Sequence, residues 1–289
     1  MKGIVMNGMV ITRSVGQRRP RRAFAALVGF ALLGTVLVAC GGSDGETSTT
    51  TGSSNTTPAP AASGPSVLAS TSWVGAIAKM AGASTVDVVA PANLQHPPDY
   101  DPKPSDLVKA STADYVLLAG FEGFATRLKD AAGSDAKVET VMTAYTPEVL
   151  SKEVLRLAGE WGTTDVATAN LEKYTADWNA ASASTIAKLQ SSSVVVVAQA
   201  YVAEWAMFAG LTPAGTYGMK NMPTPSEVAD LVKLKPAFVF ENSHMPMGAD
   251  VASASGAEVV SIVNFPEADL DLSAVIAKNE AAILQALGR

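Results

Sequence analysis

Residues 165–189 read DVATANLEKYTADWNAASASTIAKL. The run holds neither Pro nor Gly, the two residues that most readily end a helix. Leu171, Tyr174, Trp178, Ala181, Ile186 and Leu189 recur at roughly helical spacing. At 1.5 Å of rise per residue such a helix is about 37 Å long, the length of a whole lobe. The spacing therefore predicts a linker helix over 165–190, able to tie whatever precedes it to whatever follows.

On both sides of this helix, strand-like and helix-like segments alternate. Upstream, strands are expected at Ser66–Ser70, Thr85–Ala90, Tyr115–Leu118 and Lys137–Met142. Helices are expected at Trp73–Ala81, Pro104–Ala110, Gly123–Ala132 and Pro147–Glu160. Pro91–Lys103 carries four prolines and reads as irregular. Downstream, strands are expected at Ser193–Ala198, Thr216–Gly218, Pro236–Glu241 and Glu258–Val263. Helices are expected at Tyr201–Ala209, Pro225–Leu234, Pro246–Ser255 and Leu272–Leu287. Alternation at this spacing implies βαβ units and parallel sheets. The expected architecture is α/β: two lobes with parallel sheets flanked by helices, joined by one long spine helix. The N-terminal lobe covers 66–164 and the C-terminal lobe 191–289.

The first 39 residues read as a signal peptide. Arg18-Arg19-Pro20-Arg21-Arg22 is a cationic start, and Ala23–Val38 is an apolar run of 16 residues without charge. A bilayer span wants about 20, so the run reads as a signal-peptide core. It ends Leu37-Val38-Ala39-Cys40-Gly41, which resembles the bacterial lipobox. That resemblance implies a diacylated Cys40 as the mature N-terminus, held on the outer face of the cell membrane by palmitate-type chains. Residues 40–65 contain no apolar side chain larger than Pro after the cysteine, so they read as a tether. Gly41-Gly42-Ser43-Asp44-Gly45 matches the GxSxG pattern of hydrolases, but no strand precedes it and no helix follows.

Charge and cysteine count exclude several classes. The whole chain carries a net charge of −6, with 21 basic and 27 acidic residues. The leader holds six bases and no acid, so a chain starting at Cys40 carries 15 bases, 27 acids and a charge of −12. Such a surface argues against nucleic acid as a partner. One cysteine permits no internal disulfide and no CxxC site. No P-loop, HExxH or correctly placed GxGxxG occurs in the folded part, so an enzyme is not expected.

In open α/β sheets, ligands bind beyond the carboxyl ends of the strands. That rule selects the loops 91–103, 119–123, 143–147, 199–200, 219–224, 241–248 and 264–267. Both histidines of the chain fall within them: His96 in NLQHPPDYDP and His244 in ENSHMP. Two imidazoles with carboxylates nearby suit a borderline divalent ion such as zinc or manganese. Glu122, which follows a strand end, is a further candidate ligand, with helix capping as the alternative. Glu241, at the end of a strand, is a ligand or a structural hydrogen-bonding group. Met245 and Met247 flank Pro246; their thioethers either pack or serve a soft ion.

The segments Ser70-Thr71-Ser72-Trp73, Tyr100-Asp101-Pro102-Lys103-Pro104-Ser105-Asp106-Leu107 and Ala113-Asp114-Tyr115-Val116 resemble the metal-specific solute-binding proteins of ABC transporters. The likeness runs over 66–289. It implies zinc or manganese as transported ligand, an ABC permease and its ATPase as partners, a monomer, and a site between the lobes. The family's ligand positions are replaced here. The first falls on Pro98, the second in Thr143–Pro147 where no His stands, the third on Gln199 and the fourth on Asn264. The expected site is therefore a rearranged one, with metal donors drawn from His96, Glu122, Gln199, Glu241 and His244. Two other readings keep the fold. One binds a metal chelate such as a siderophore, haem or corrinoid, against Tyr100, Phe121, Phe124, Tyr145 and Phe265. The other is a lipid-anchored adhesin without transport.

Overall fold

The computed structural model describes residues 64–189, 194–219 and 221–288, all within one compact unit. The expected leader, Cys40 and all but the end of the tether lie outside the described residues. Each half of the chain builds a four-stranded sheet. The first contains β1 (Ser66–Ala69), β2 (Thr85–Val88), β3 (Tyr115–Leu118) and β4 (Lys137–Thr140), in the order β2-β1-β3-β4. The second contains β5 (Val196–Gln199), β6 (Gly215–Tyr217), β7 (Phe238–Asn242) and β8 (Glu258–Ile262), in the order β6-β5-β7-β8. Every pairing is parallel. The two sheets thus share one topology, although the sequence shows no repeat.

The helices are α1 (Ser72–Met80), α2 (Pro104–Thr112), α3 (Ala125–Ala131), α4 (Pro147–Trp161), α5 (Thr164–Leu189), α6 (Ala203–Phe208), α7 (Pro225–Lys233), α8 (Ala249–Ser255) and α9 (Leu272–Leu287). Local chemistry explains several boundaries. Pro opens α2, α4 and α7, where its missing N–H costs nothing. Thr224 and Glu227 form a reciprocal cap on α7. Gly162, left-handed at φ +70°, ends α4 and lets α5 begin two residues later. The segment 246–248 departs from the expected helix over Pro246–Ser255. There the Gly248 N–H donates to Glu241 Oε2 at 2.9 Å and α8 starts at Ala249.

Alternate strand residues separate the core into layers. Leu68, Val116 and Leu118 face one way and pack under α2 and α3. Val197 and Val239 do the same in the second half, against Leu231 and Val251. The opposite faces meet in one large cluster that includes Val67, Leu117, Val196, Ala198 and Phe240. That cluster also takes in α1, α4, α5, α6 and α9, so the two lobes share one continuous interior.

The spine helix α5 sits at the centre of this cluster. Ala167, Leu171, Tyr174, Trp178, Thr185 and Leu189 are its buried residues. The expected stripe is corrected at one position: Ile186 is 45% exposed and Thr185 is buried instead. Continuing the 3- and 4-residue steps from Trp178 brings Thr185, not Ile186, under the stripe. Its hydroxyl donates to Ala181 O at 2.8 Å, so a buried polar atom is satisfied within the helix. Aromatic rings then bridge from α5 into both lobes. Trp178 lies 5.2 Å from Trp205 and 4.9 Å from Phe208 on α6, and Trp205 lies 5.2 Å from Tyr145. Tyr145 stacks on Trp73 of α1 at 4.8 Å.

Trp178 joins the spine to the second lobe through these contacts. Trp178→Ala is expected to lower unfolding free energy by about 3–5 kcal/mol, read by urea denaturation with tryptophan fluorescence and far-UV CD in parallel. Coincident transitions by both probes are expected, because the lobes share a core.

Candidate functional site

Chain order places the site. In each sheet the first and third strands lie side by side, and the connections leaving them go to opposite sides of the sheet. Crevices open at such switch points. In the first sheet this brings the loop after β1, Ser70-Thr71-Ser72, beside the loop after β3, Ala119–Gly123. In the second it brings Ala200–Val202 beside Ser243–Met247, which carries His244.

The turn bearing His244 is heavily braced. Gln199, fully buried, accepts from Asn242 N–H at 2.9 Å and donates to Met245 O at 3.2 Å. Asn242 Oδ1 accepts from His244 N–H at 2.9 Å, which is an Asx turn. The His244 ring meets Phe265 edge-on at 5.0 Å. Its Nδ1 lies 3.2 Å from Ser243 Oγ and 3.5 Å from Asn264 N. Nδ1 is therefore turned toward its own lobe, and Nε2 has no protein partner among the described residues. Burial, reinforced by the neighbouring His96 imidazole, pushes the His244 pKa down to about 4. The ring is neutral at physiological pH, and with Nδ1 accepting from Asn264 N–H its own proton sits on Nε2.

His96 approaches from the other lobe, ahead of a single 3₁₀ turn, Pro97–Asp99. Its Nδ1 pairs with Asp99 Oδ2 at 2.7 Å, with the side chain 29% exposed. A carboxylate on one ring nitrogen orients the ring and fixes its tautomer. The preceding residue crosses directly: Gln95 Nε2 donates to Ser243 O at 2.6 Å. The structure thus brings the two histidine loops together, each ring with Nδ1 engaged within its own lobe and Nε2 without a protein partner among the described residues.

The other expected donors have partners of their own. Glu122 is 5% exposed, and its Oε1 accepts from Ser70 Oγ and from Ala119 N–H at 2.8 Å. Its Oε2 accepts from Gly120 N–H at 2.8 Å. The carboxylate closes the turn after β3 and ties it to the end of β1. Gly120 permits this turn at φ +89°. Glu241 lies on the face of β7 that carries Val239 rather than Phe240, and its Oε2 holds Gly248 N–H. Among the described residues no three His, Cys, Asp or Glu side chains form a group that could hold a metal ion.

Two residues that bind the lobes together stand at the same interface. Tyr145, fully buried, donates from its hydroxyl to Asn264 O at 2.9 Å, and Tyr174 of α5 donates to Tyr145 O at 2.6 Å. Glu204, in the first turn of α6, accepts from Tyr145 N–H at 3.2 Å and Thr146 N–H at 3.1 Å. It therefore caps α4 from the opposite lobe, where Thr146 supplies no side-chain cap of its own. Desolvation raises the Glu204 pKa above its ordinary value, against the lowering effect of the two N–H donors. No local signal in Ala203-Glu204-Trp205 marks this role; only the fold brings α6 under α4. Asn264 also leaves its Oδ1 buried without a hydrogen-bond partner, while its Nδ2 donates to Tyr201 O at 3.2 Å.

No family model matches the sequence, and no curated protein matches it. Solved structures do share the fold. A zinc-bound deletion mutant of ZnuA is 20% identical, with a TM-score of 0.57 over 77% of this chain and 98% of its own. The solute-binding protein FpvC of Pseudomonas aeruginosa, in complex with Mn²⁺, is 18% identical, with a TM-score of 0.58 over 76% of this chain and 97% of its own. The laminin-binding protein Lmb of Streptococcus agalactiae, described as having adhesin and metal-transporting activity, is 16% identical, with a TM-score of 0.57 over 78% and 99%. The two-sheet architecture with a long connecting helix is the one these proteins have.

The raised pKa of Glu204 sets a sign. The folded state holds its proton more tightly than the unfolded state, so the stability this group contributes is present below the ordinary value of 4.5 and is lost as pH rises through the raised value. Glu204→Gln removes that loss and keeps an oxygen acceptor for the two N–H groups. The variant is expected to gain stability relative to the parent as pH goes from 4.5 to neutrality, measured by urea midpoints across that range.

Proposed function

We propose that this chain is the extracytoplasmic substrate-binding component of an ABC importer. Its cargo in this reading is a transition-metal ion, held between His96 and His244 and handed to a permease driven by an ATPase. The observation that carries the reading is the meeting of one imidazole from each lobe at the cleft of a fold shared with zinc- and manganese-bound proteins. Capture needs no chemistry on the cargo, and the two imidazoles supply the donors.

Of the two ions expected from the sequence, zinc fits imidazole donors, whereas manganese favours carboxylates and other oxygens. Gln199 and Glu241 act here as supports of the turn that carries His244, and Glu122 closes the turn after β3. The charge of −12 on a chain starting at Cys40 concentrates cations near the mouth. Lipidation at Cys40 would keep the protein beside its permease at the membrane. Among the described residues no helix is long and apolar enough to cross a membrane. The chelate reading has less support, because Phe124, Tyr145 and Phe265 are buried and only Phe121, of the five aromatics it needs, is exposed.

Titration of the purified chain with Zn²⁺, after stripping with a chelator, tests the proposal by calorimetry and thermal melting. A ligand at a hundredfold excess over Kd stabilises by about 2.7 kcal/mol, so a clear rise in Tm is expected. His96→Ala and His244→Ala are each expected to abolish that rise while leaving the metal-free Tm near the parent value for His96→Ala. A parent chain whose Tm is indifferent to metal would overturn the reading.

A further inference from the structure

We infer that residues 263–271, between β8 and α9, form a strap that Leu270 latches onto α1 of the other lobe, and that the start of this strap holds the His244 ring in place. The latch stands whatever cargo the cleft takes. Its first sign is a backbone outlier. Leu270 is held at φ +59°, in the left-handed region that bulky L-residues avoid. Lys235, at φ +52°, follows the end of α7, where that conformation commonly stops a helix. Leu270 follows no helix. Its N–H donates to Glu267 O at 3.0 Å, closing a turn, and Asp271 after it caps α9. A strained residue persists only where its surroundings fix it, and here the surroundings belong to the first lobe.

Leu270 seats on Gly75. A Cβ placed on Gly75 would stand 3.1 Å from Val88 and 3.3 Å from Val86 of β2, and 3.4 Å from Leu270 Cδ1; the missing side chain is the seat. Further along α1, Lys79 Nζ donates to Asp269 O at 2.7 Å, and near its start Trp73 meets the Phe265 ring edge-on at 6.0 Å. The ends of the strap are pinned elsewhere. The Asn279 amide accepts from Val263 N–H and donates to Val263 O, both at 2.9 Å, and Ser273 Oγ donates to Asp177 Oδ2 of α5 at 2.7 Å. The start of the strap reaches the cleft. Asn264 N lies 3.5 Å from His244 Nδ1, and Phe265 meets the His244 ring edge-on at 5.0 Å. One ring, Phe265, therefore touches Trp73 of the first lobe and His244 of the second. Leu270 also lines a groove of about 340 Å³ with Lys79, Met80, Lys173 and Tyr174. That groove gives the side chain a second place to lie. Released from Gly75, Leu270 can return to an ordinary φ, and the strap shifts with Phe265 while the lobes keep their shared core.

The test uses the full chain in detergent, with hydrogen exchange read peptide by peptide by mass spectrometry. Leu270→Ala keeps the strained backbone and empties the seat, whereas Leu270→Gly removes both. Each is expected to speed exchange over 72–81 and 263–271 by about tenfold, with β3 and β5 at the parent rate. Leu270→Met refills the seat with a flexible side chain of like volume and should restore the parent rate. Gly75→Ala crowds the seat from the other side. It should loosen the strap in the parent and add nothing in the Leu270→Gly background, as expected of two residues acting through one contact. Labelling by diethyl pyrocarbonate, with the modified sites located by mass spectrometry, reports on the cleft. The His244 signal relative to His96 should rise several-fold in Leu270→Ala and keep the parent ratio in Leu270→Met.

Exchange at the parent rate in Leu270→Gly would overturn the latch, since the leucine would then be incidental to a turn that glycine makes with less strain. Additive effects of Gly75→Ala and Leu270→Gly would overturn their pairing. Faster exchange that includes β3 and β5 in both Leu270 variants would mark general destabilisation and overturn a local latch. A loosened strap with unchanged His244 labelling would overturn its link to the cleft. None of these outcomes depends on Zn²⁺ binding, so a chain indifferent to metal leaves the latch standing.

Discussion

Tyr145 is held at three atoms by three separate elements. Its N–H goes to Glu204 on α6, its carbonyl receives Tyr174 from α5, and its hydroxyl goes to the backbone of Asn264 beyond β8. Its ring lies between Trp73 and Trp205, one from each lobe. A buried tyrosine must satisfy its hydroxyl or lose about 1–3 kcal/mol, and here that requirement is met only when the second lobe stands in place. The first lobe's α4 likewise receives its cap from a carboxylate of the second. The interface between the lobes is thus built from hydrogen bonds that neither half can complete alone.

That arrangement constrains where a ligand can go. Three polar residues at the interface do structural work: Tyr145 fills the gap with a ring, Gln199 braces the turn after β7, and Asn264 ties two loops of the second lobe. The apolar cluster continues across the space between the sheets. What stays accessible is the outer rim, where residues 91–103 meet 243–247. The Gln95–Ser243 hydrogen bond spans this rim, so a ligand entering between the histidines works at the edge of the interface rather than in its depth.

The fold was legible in the sequence because its signals are periodic and long. The helix over 164–189, the strand–helix alternation and the prolines opening α2, α4 and α7 each rest on local chemistry that tertiary context did not override. Errors fell where a single residue decides between neighbours. Ile186 looks like core by composition, yet the helical steps bury Thr185, whose hydroxyl is satisfied within the helix. Pro246 looks like a helix start, yet the Gly248 N–H is taken by Glu241 and the helix waits until Ala249. The histidines could be assigned to cleft loops from strand order alone. The tie of Glu122 to Ser70 and the role of Glu204 could not, because both depend on residues at least 52 positions away.

A shared core changes how capture can work. Separate domains on a hinge close over a ligand by rotating as bodies, and the ligand supplies the contacts that hold them shut. Here the protein supplies those contacts itself: the rings of Trp73, Tyr145, Trp178 and Trp205 are packed on one another, and the spine α5 packs against both α4 and α9. Opening the lobes would expose those rings, at about 25 cal/mol for each Å² of apolar surface. Movement is cheaper in the loops. The loop 91–103 contains only one short 3₁₀ turn, and its cross-lobe anchor is a single exposed glutamine. Within its own lobe the loop is held by Gly123 N–H on Pro98 O at 3.1 Å and Arg127 on Pro102 O at 3.0 Å, so movement falls to the stretch about Gln95 and His96, while His244, braced by Gln199 and Asn242, stays fixed. In the function proposed above, such a site has one fixed donor and one that swings, so an ion enters and leaves without the cost of parting the core.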